Sequence, residues 1–227
     1  MDLGLQDKVA MVAASSKGLG FGVAQALAAE GVSLSMCSRT ASEIESAAVR
    51  LADTFGTETL AVACDVRQPS DIEAWVERTI ARWGKVDALL VNAGGPPSGL
   101  LLSFDDAQWQ AAFELTLMST VRMIRAAVPH MPEGSAILTV TSSSVREPIE
   151  RLGLSTVMRS GVVGVVKTLA DELAAQGIRV NNLIPGRIQT DRVTQLDQTT
   201  AARTGKSIDD IRAENIAKIP LKRIGSI

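Results

Sequence analysis

The run Ser15-Ser16-Lys17-Gly18-Leu19-Gly20-Phe21-Gly22 joins an apolar segment, Val9–Ala14, to a long apolar helical stretch. A strand that passes through a glycine-rich turn into a helix presents free backbone N–H groups and the positive end of the helix dipole to an anion. Gly18, Leu19 and Gly20 would let a pyrophosphate approach the backbone, while Ser15, Ser16 and Lys17 could add hydroxyl and cationic contacts. The glycines fall at 18, 20 and 22, so the G-x-G-x-x-G spacing is not met. A tight turn packing helix on strand accounts for the same residues.

Three further segments sharpen the choice. The next apolar run ends in Cys37-Ser38-Arg39, where a dinucleotide-binding fold meets the adenosine ribose. An acid there pairs with the 2′-hydroxyl and an arginine accommodates a 2′-phosphate. Lys17 and Arg39 therefore predict NADP(H) over NAD(H), the alternative being two ordinary solvated charges. Asp65-Val66 follows the third run, where the carboxylate can accept from an adenine amino group. Asn92-Ala93-Gly94 follows the fourth and leaves a cofactor ring room against backbone.

These residues need strands to end beside one another. Strand-like runs are Val9–Ala14, Val32–Ser38, Thr59–Cys64, Ala88–Asn92, Ala136–Thr141 and Ile178–Leu183. Helical patterns cover Leu19–Glu30, Ser42–Phe55, Ser70–Arg82, Ala107–Val128 and Leu154–Gln176. Continuous apolar strands alternating with helices predict an α/β fold: one Rossmann-type, doubly wound parallel sheet with helices on both faces and ligands at the carboxyl ends of its strands. Gly31 and Gly177 are expected just past helix ends, in positive φ. Pro69-Ser70-Asp71 with Glu73 reads as a capping box on Ser70. No repeat or linker interrupts the chain, so a single domain over 1–227 is expected, with 195–221 as a polar helical lid.

Composition bounds the partners. With 23 basic and 25 acidic residues, the net charge of −2 argues against a dedicated nucleic-acid or anionic-membrane surface. Met1–Lys8 lacks the basic start and apolar stretch of a secretory signal. No uncharged apolar run reaches the roughly 18 residues that span a bilayer. Cys37 and Cys64 sit in apolar runs and are expected buried and reduced, which fits the cytoplasm. No metal site is expected. The chain contains no tyrosine.

With these pieces assembled, the chain resembles the short-chain dehydrogenase/reductase family, in its 3-oxoacyl-carrier-protein-reductase-like branch. The resemblance rests on Gly18-Leu19-Gly20, Asp65-Val66, Asn92-Ala93-Gly94, Ala170-Asp171-Glu172-Leu173, Ile178-Arg179-Val180-Asn181 and Pro185-Gly186-Arg187-Ile188-Gln189-Thr190, and continues to Leu221-Lys222-Arg223-Ile224-Gly225. It implies a small-molecule substrate, a 3-oxoacyl thioester or related ketone, and a homo-oligomer, dimer or tetramer. It also implies that the 185–190 loop closes over the nicotinamide. There Ile188 would meet the carboxamide through its backbone, and Thr190 would bond it or the phosphate. Where the family's phosphate turn opens Thr-Gly this chain has Ala13-Ala14, so Ala14 is expected to meet a positive φ at a cost.

The same resemblance locates a catalytic set and its losses. In the family a serine polarises the carbonyl, a tyrosine and a lysine four residues on share a helix face, and an asparagine anchors a relay water. Counting back from Ala170-Asp171-Glu172-Leu173 puts the lysine position at Arg159 and the tyrosine position at Ser155. The serine position, 13 residues earlier, falls on Ser142, and the asparagine position on Thr116. A serine hydroxyl is shorter than a phenol and holds its proton far more tightly, and an arginine is a fork rather than a point charge. Ser155 also reads as a plain helix cap. Glu147 or Glu150, between Ser142 and that helix, could supply a proton if desolvated; two solvated carboxylates are the alternative. His130 is expected to lie far from the site. Family members continue into a further helix and strand beyond Ser226-Ile227, which leaves assembly open. The leading expectation is an NADP(H)-binding reductase-like protein. The alternatives are a catalytically inactive nucleotide-binding sensor or partner subunit and a plain structural subunit.

Overall fold

The computed structural model describes all 227 residues. Six parallel strands form one sheet in the order β3-β2-β1-β4-β5-β6: β1 Val9–Val12, β2 Ser33–Ser38, β3 Thr59–Ala63, β4 Ala88–Val91, β5 Ala136–Val140 and β6 Arg179–Leu183. The expected doubly wound sheet is present. Most strands end one or two residues earlier than the apolar runs do, because the last residues turn away as loops. The strand order reverses between β1 and β4, which opens a crevice at their carboxyl ends.

The strands bury alternate residues on opposite faces, as their pleat requires. Met11, Leu89 and Val91 face one core with α3 (Pro69–Trp83), α5 (Ser119–Ala127) and α6 (Gly153–Glu172). Ala10, Val12 and Leu90 face the other, with α1 (Gly18–Ala29) and α2 (Ala41–Phe55). In the first core the fully buried Trp75 donates its indole N–H to Ser35 Oγ at 2.8 Å. Ser35 and Thr79 share a 2.6 Å hydroxyl bond. Leaving any of these groups buried and unpaired would cost roughly 1–3 kcal/mol.

Two local expectations need correcting. Pro69 occupies the first turn of α3, so the cap is Gln68 and Ser70 forms no capping box. The side chain of Asp71 instead accepts from the Asp65 backbone N–H at 2.9 Å. The helix expected over 107–128 is broken: α4 is Asp106–Ala112, residues Phe113–Met118 form a π-helical turn, and α5 then follows. A reciprocal capping box between Asp105 and Gln108 opens α4. Gly31 and Gly177 do adopt the positive φ expected of them, 76° and 68°.

The chain divides into two compact units, Met1–Ile184 and Pro185–Ile227. The second contains α7 (Asp191–Thr204) and α8 (Ile208–Ala217). Their packing centres on Asp197, 2% exposed, which pairs with Arg187 and accepts from Asn215 Nδ2 at 3.2 Å. No helix of the chain is long and apolar enough to cross a membrane.

Candidate dinucleotide and carbonyl site

The phosphate turn is built around a strained alanine. Ala14 sits at φ 50°, in the left-handed region that costs a non-glycine residue roughly 1–2 kcal/mol. That bend carries the chain from β1 into α1 so tightly that a Cβ on Gly20 would lie 2.3 Å from the Ala14 carbonyl oxygen. Ser15 is fully buried; its hydroxyl donates to Val12 O at 2.8 Å and its N–H to Cys37 O at 3.0 Å. Its proton is spent holding the turn, so the hydroxyl contact expected from Ser15 is not available to a phosphate. Lys17 is the N-cap of α1 and makes no side-chain capping bond, which leaves the first-turn N–H groups of Gly18, Leu19 and Gly20 for a ligand. The free first-turn N–H groups of this uncapped terminus suit an anion such as a pyrophosphate, while Gly20 lets the turn close on the Ala14 carbonyl.

The candidate adenosine end is more crowded than its sequence suggests. Arg39 is exposed just past β2. Lys17 Nζ stands 4.0 Å from Glu43 Oε1, and Ser16 Oγ donates to Glu43 Oε2 at 3.5 Å. Asp65 accepts from Arg67 Nε at 3.0 Å on both carboxylate oxygens and from its backbone N–H at 3.1 Å. The Arg67 hydrogen bonds hold the Asp65 carboxyl below the usual carboxylate range. Neither Glu43 nor Arg67 was singled out from the sequence. The i, i+2 spacing of Asp65 and Arg67 was the signal for the second. Val66 is buried, Asn92 and Ala93 are half-buried beyond β4, and a Cβ on Gly94 would meet nothing within 4 Å.

The structure brings Ser155 and Arg159 together beside β5. Arg159 Nε donates to Ser155 Oγ at 3.2 Å, and Nη1 donates to the carbonyl of Val140, the last residue of β5, at 2.8 Å. Ser155 is 8% exposed and lies inside α6, whose cap is Leu152, so the plain-cap reading of Ser155 does not hold. Two residues beyond Val140, Ser142 Oγ accepts the N–H of Ser144 at 3.2 Å. Thr116 falls in the π-helical turn, 3% exposed, with no hydrogen-bond partner for Oγ1. Single π turns are frequent at functional sites because they shift one side chain out of helical register. Thr116, Arg159, Asn92, Ala93 and Val140 line one small recess.

The remaining candidates lie elsewhere. Glu147 and Glu150 are exposed, so the desolvation that would make either a proton donor is missing. His130 is exposed, and its carbonyl accepts from Val86 N–H at 3.0 Å, at the amino end of β4 and away from the strand ends. Cys37 and Cys64 are buried and free, and burial pushes the Cys37 thiol up, with Cys64 acting in the same direction. In the second unit Gly186 is open, Ile188 bridges to Gly225 and Thr190 caps α7 by accepting the Val193 N–H at 3.3 Å. Pro185 and Gly186 follow β6 in the chain without belonging to a strand.

Known proteins share this arrangement. A family model for enoyl-(acyl carrier protein) reductase matches residues 13–227. The chain is 31% identical to the 3-oxoacyl-(acyl-carrier-protein) reductase FabG of Escherichia coli, across 98% of this chain and 86% of that protein. It is 32% identical to dehydrogenase/reductase SDR family member 4 of Bos taurus, across 97% and 77%. Among solved structures, L-sorbose reductase of Gluconobacter frateurii, complexed with NADPH and L-sorbose, superposes with a TM-score of 0.93 at 31% identity, covering 100% of this chain and 87% of that one. Actinorhodin polyketide ketoreductase with NADPH gives 0.91 at 26% identity, covering 97% and 85%. With a family model matching almost the whole chain and relatives above 30% identity along most of their length, the chain belongs to the short-chain dehydrogenase/reductase family.

Proposed function

We propose that this chain is an NADP(H)-binding reductase that keeps the carbonyl-holding serine of its family and has lost the phenolic proton donor. The observation that carries the reading is the uncapped first turn of α1 beneath Gly20, with Lys17 at its cap and Arg39 exposed at the end of β2. Two cations suit a 2′-phosphate dianion better than a ribose hydroxyl. The NADPH held by the two solved relatives supports the same preference.

When bound, the nicotinamide supplies or takes up a hydride. The chain's own residues hold the reacting oxygen. Ser142 would donate to a carbonyl at the end of β5, and Arg159 would carry positive charge near the ribose. Pro185, Gly186, Ile188 and Thr190 are assigned to the nicotinamide on the family resemblance. The name of the Escherichia coli relative favours a 3-oxoacyl thioester or a related ketone as substrate.

A second reading, a nucleotide-binding sensor or partner subunit without turnover, is favoured by the bond between Arg159 and Ser155. A serine hydroxyl beside a guanidinium is a poor proton donor, whereas a phenol starts near 10 and falls toward neutrality beside a cation. Turnover of NADPH with small 3-oxoacyl thioesters separates the two. The double substitution Ser155→Tyr with Arg159→Lys is expected to raise that turnover by at least about 100-fold, the low end of general acid–base catalysis. If the double variant binds NADPH and gains nothing, the assignment of these positions is wrong.

A further inference from the structure

One buried charge cluster has no part in the site described above. Asp197 on α7 is 2% exposed. Its Oδ1 accepts from Arg187 Nη2, in the 185–190 loop, and from Asn215 Nδ2 on α8 at 3.2 Å. Arg212 Nε, also on α8, stands 3.9 Å from Oδ2. Yet Oδ2, Arg187 Nε and Arg212 Nε are all buried without a hydrogen-bond partner. Desolvating charges is repaid only where the remaining donors and acceptors are satisfied, and apolar residues of similar volume often replace a buried pair without loss. Stability is therefore a weak account of this cluster, and what it orients is the better one.

The side chain it grips belongs to residue 187, and the backbone around Ile188 is fixed as well. The Arg187 carbonyl accepts the Gly225 N–H at 2.9 Å, and the Gln189 N–H donates to Gly225 O at 2.8 Å. These two bonds make the parallel bridge between Ile188 and Gly225. Along a parallel ladder the peptide groups alternate sides, so the N–H and C=O of Ile188 itself face away from Gly225. Neither makes a backbone hydrogen bond. A primary carboxamide offers the complementary acceptor and donor. The Arg187 side chain and the Gly225 bridge thus hold residues 187–189 from two sides, and Asp197 anchors the first. We infer that Asp197 is a positioning residue: by holding Arg187 it fixes the direction in which Ile188 presents its N–H and C=O to a nicotinamide carboxamide. The inference rests on the family reading of this loop and adds the residue that acts through it.

The test titrates the full chain with NADPH and with adenosine 2′,5′-bisphosphate, which carries the adenosine and the 2′-phosphate but no nicotinamide. Binding is read from thermal stabilisation. Amide hydrogen exchange at Gln189 and Gly225, without nucleotide, reads the loop itself. In Asp197→Asn, NADPH affinity is expected to fall about tenfold, bisphosphate affinity to stay within about twofold, and both amides to exchange faster. Arg187→Met breaks the same contact from the other side and should give the same split. It leaves Asp197 its Asn215 bond, and it supplies the comparison if the asparagine variant does not fold. The double variant should lose no more than either single change, because one contact is broken in all three. Equal losses for the two ligands would reduce Asp197 to a structural role and overturn the inference, as would unchanged NADPH affinity in folded variants. A wild-type chain that binds NADPH no more tightly than the bisphosphate would count against the family reading of the loop instead. The exchange rates still decide the role of Asp197 in that case, and unchanged rates in both variants would overturn it.

Discussion

Ala14 stands where backbone geometry is least tolerant of a side chain, and its φ of 50° is the local cost of this phosphate turn. Ala14→Gly removes that strain, worth roughly 1–2 kcal/mol, and adds back about 0.5–1 kcal/mol of unfolded-state freedom. A net gain near 0.5–1 kcal/mol should raise the melting temperature by about 2 °C, a shift readable by scanning calorimetry. A fall would show that the turn does not depend on φ at this residue. At the adenosine end, Arg39→Ala is expected to raise the Kd for NADPH by about tenfold and to leave NADH unchanged. Equal loss for both nucleotides would mean that Arg39 does not read the 2′-phosphate. The type of each of these residues was visible in the sequence. Their engagement was not. Nothing in the order of residues shows Ser15 turning its proton into β1, Glu43 standing against Lys17, or Arg159 folding back onto the Val140 carbonyl.

Elements matter next, because loops hold their residues only as firmly as the strands beneath them. Asp87, just before β4, accepts from Val9 N–H at 2.8 Å and pairs with Lys85 at 2.9 Å and Lys8 at 3.5 Å, tying the starts of β1 and β4. Partial burial raises its carboxyl, but the Lys85 and Val9 hydrogen bonds and the two lysine charges together bring it below the usual range. A carboxyl lowered by folding stabilises the protein above its unfolded pKa, about 3.9, and that contribution is lost as pH falls through the folded value. Asp87→Asn should therefore cost roughly 1–3 kcal/mol at neutral pH and shrink the acid limb of a denaturation profile. An unchanged acid limb would contradict this. The strands were legible as apolar runs because a parallel sheet buries both faces. The break of the 107–128 helix was not legible, since the π turn keeps apolar residues facing inward while shifting their register. Nor was the true cap of α3, because Pro69 takes the first helical turn and displaces Ser70 from the cap.

At the scale of the molecule, one sheet order places the phosphate turn, Arg39, Asp65, Asn92 and Ser142 after the carboxyl ends of successive strands. The fold was readable from alternation alone, and the family from a few short motifs at fixed spacing. The chemistry was less readable, because it depends on which hydroxyls accept and which donate. The central claim is that a working dinucleotide site survives beside an altered proton-transfer site. The most direct measurement is a binding titration of NADPH and NADH into the wild-type chain and Gly20→Ala, followed by nucleotide fluorescence. A Cβ at Gly20 would sit 2.3 Å from the Ala14 carbonyl, so the substitution must distort the turn. Saturable binding, tighter for NADPH and lost in Gly20→Ala, is the predicted result. No saturable response to either nucleotide, or binding unaffected by Gly20→Ala, would contradict it.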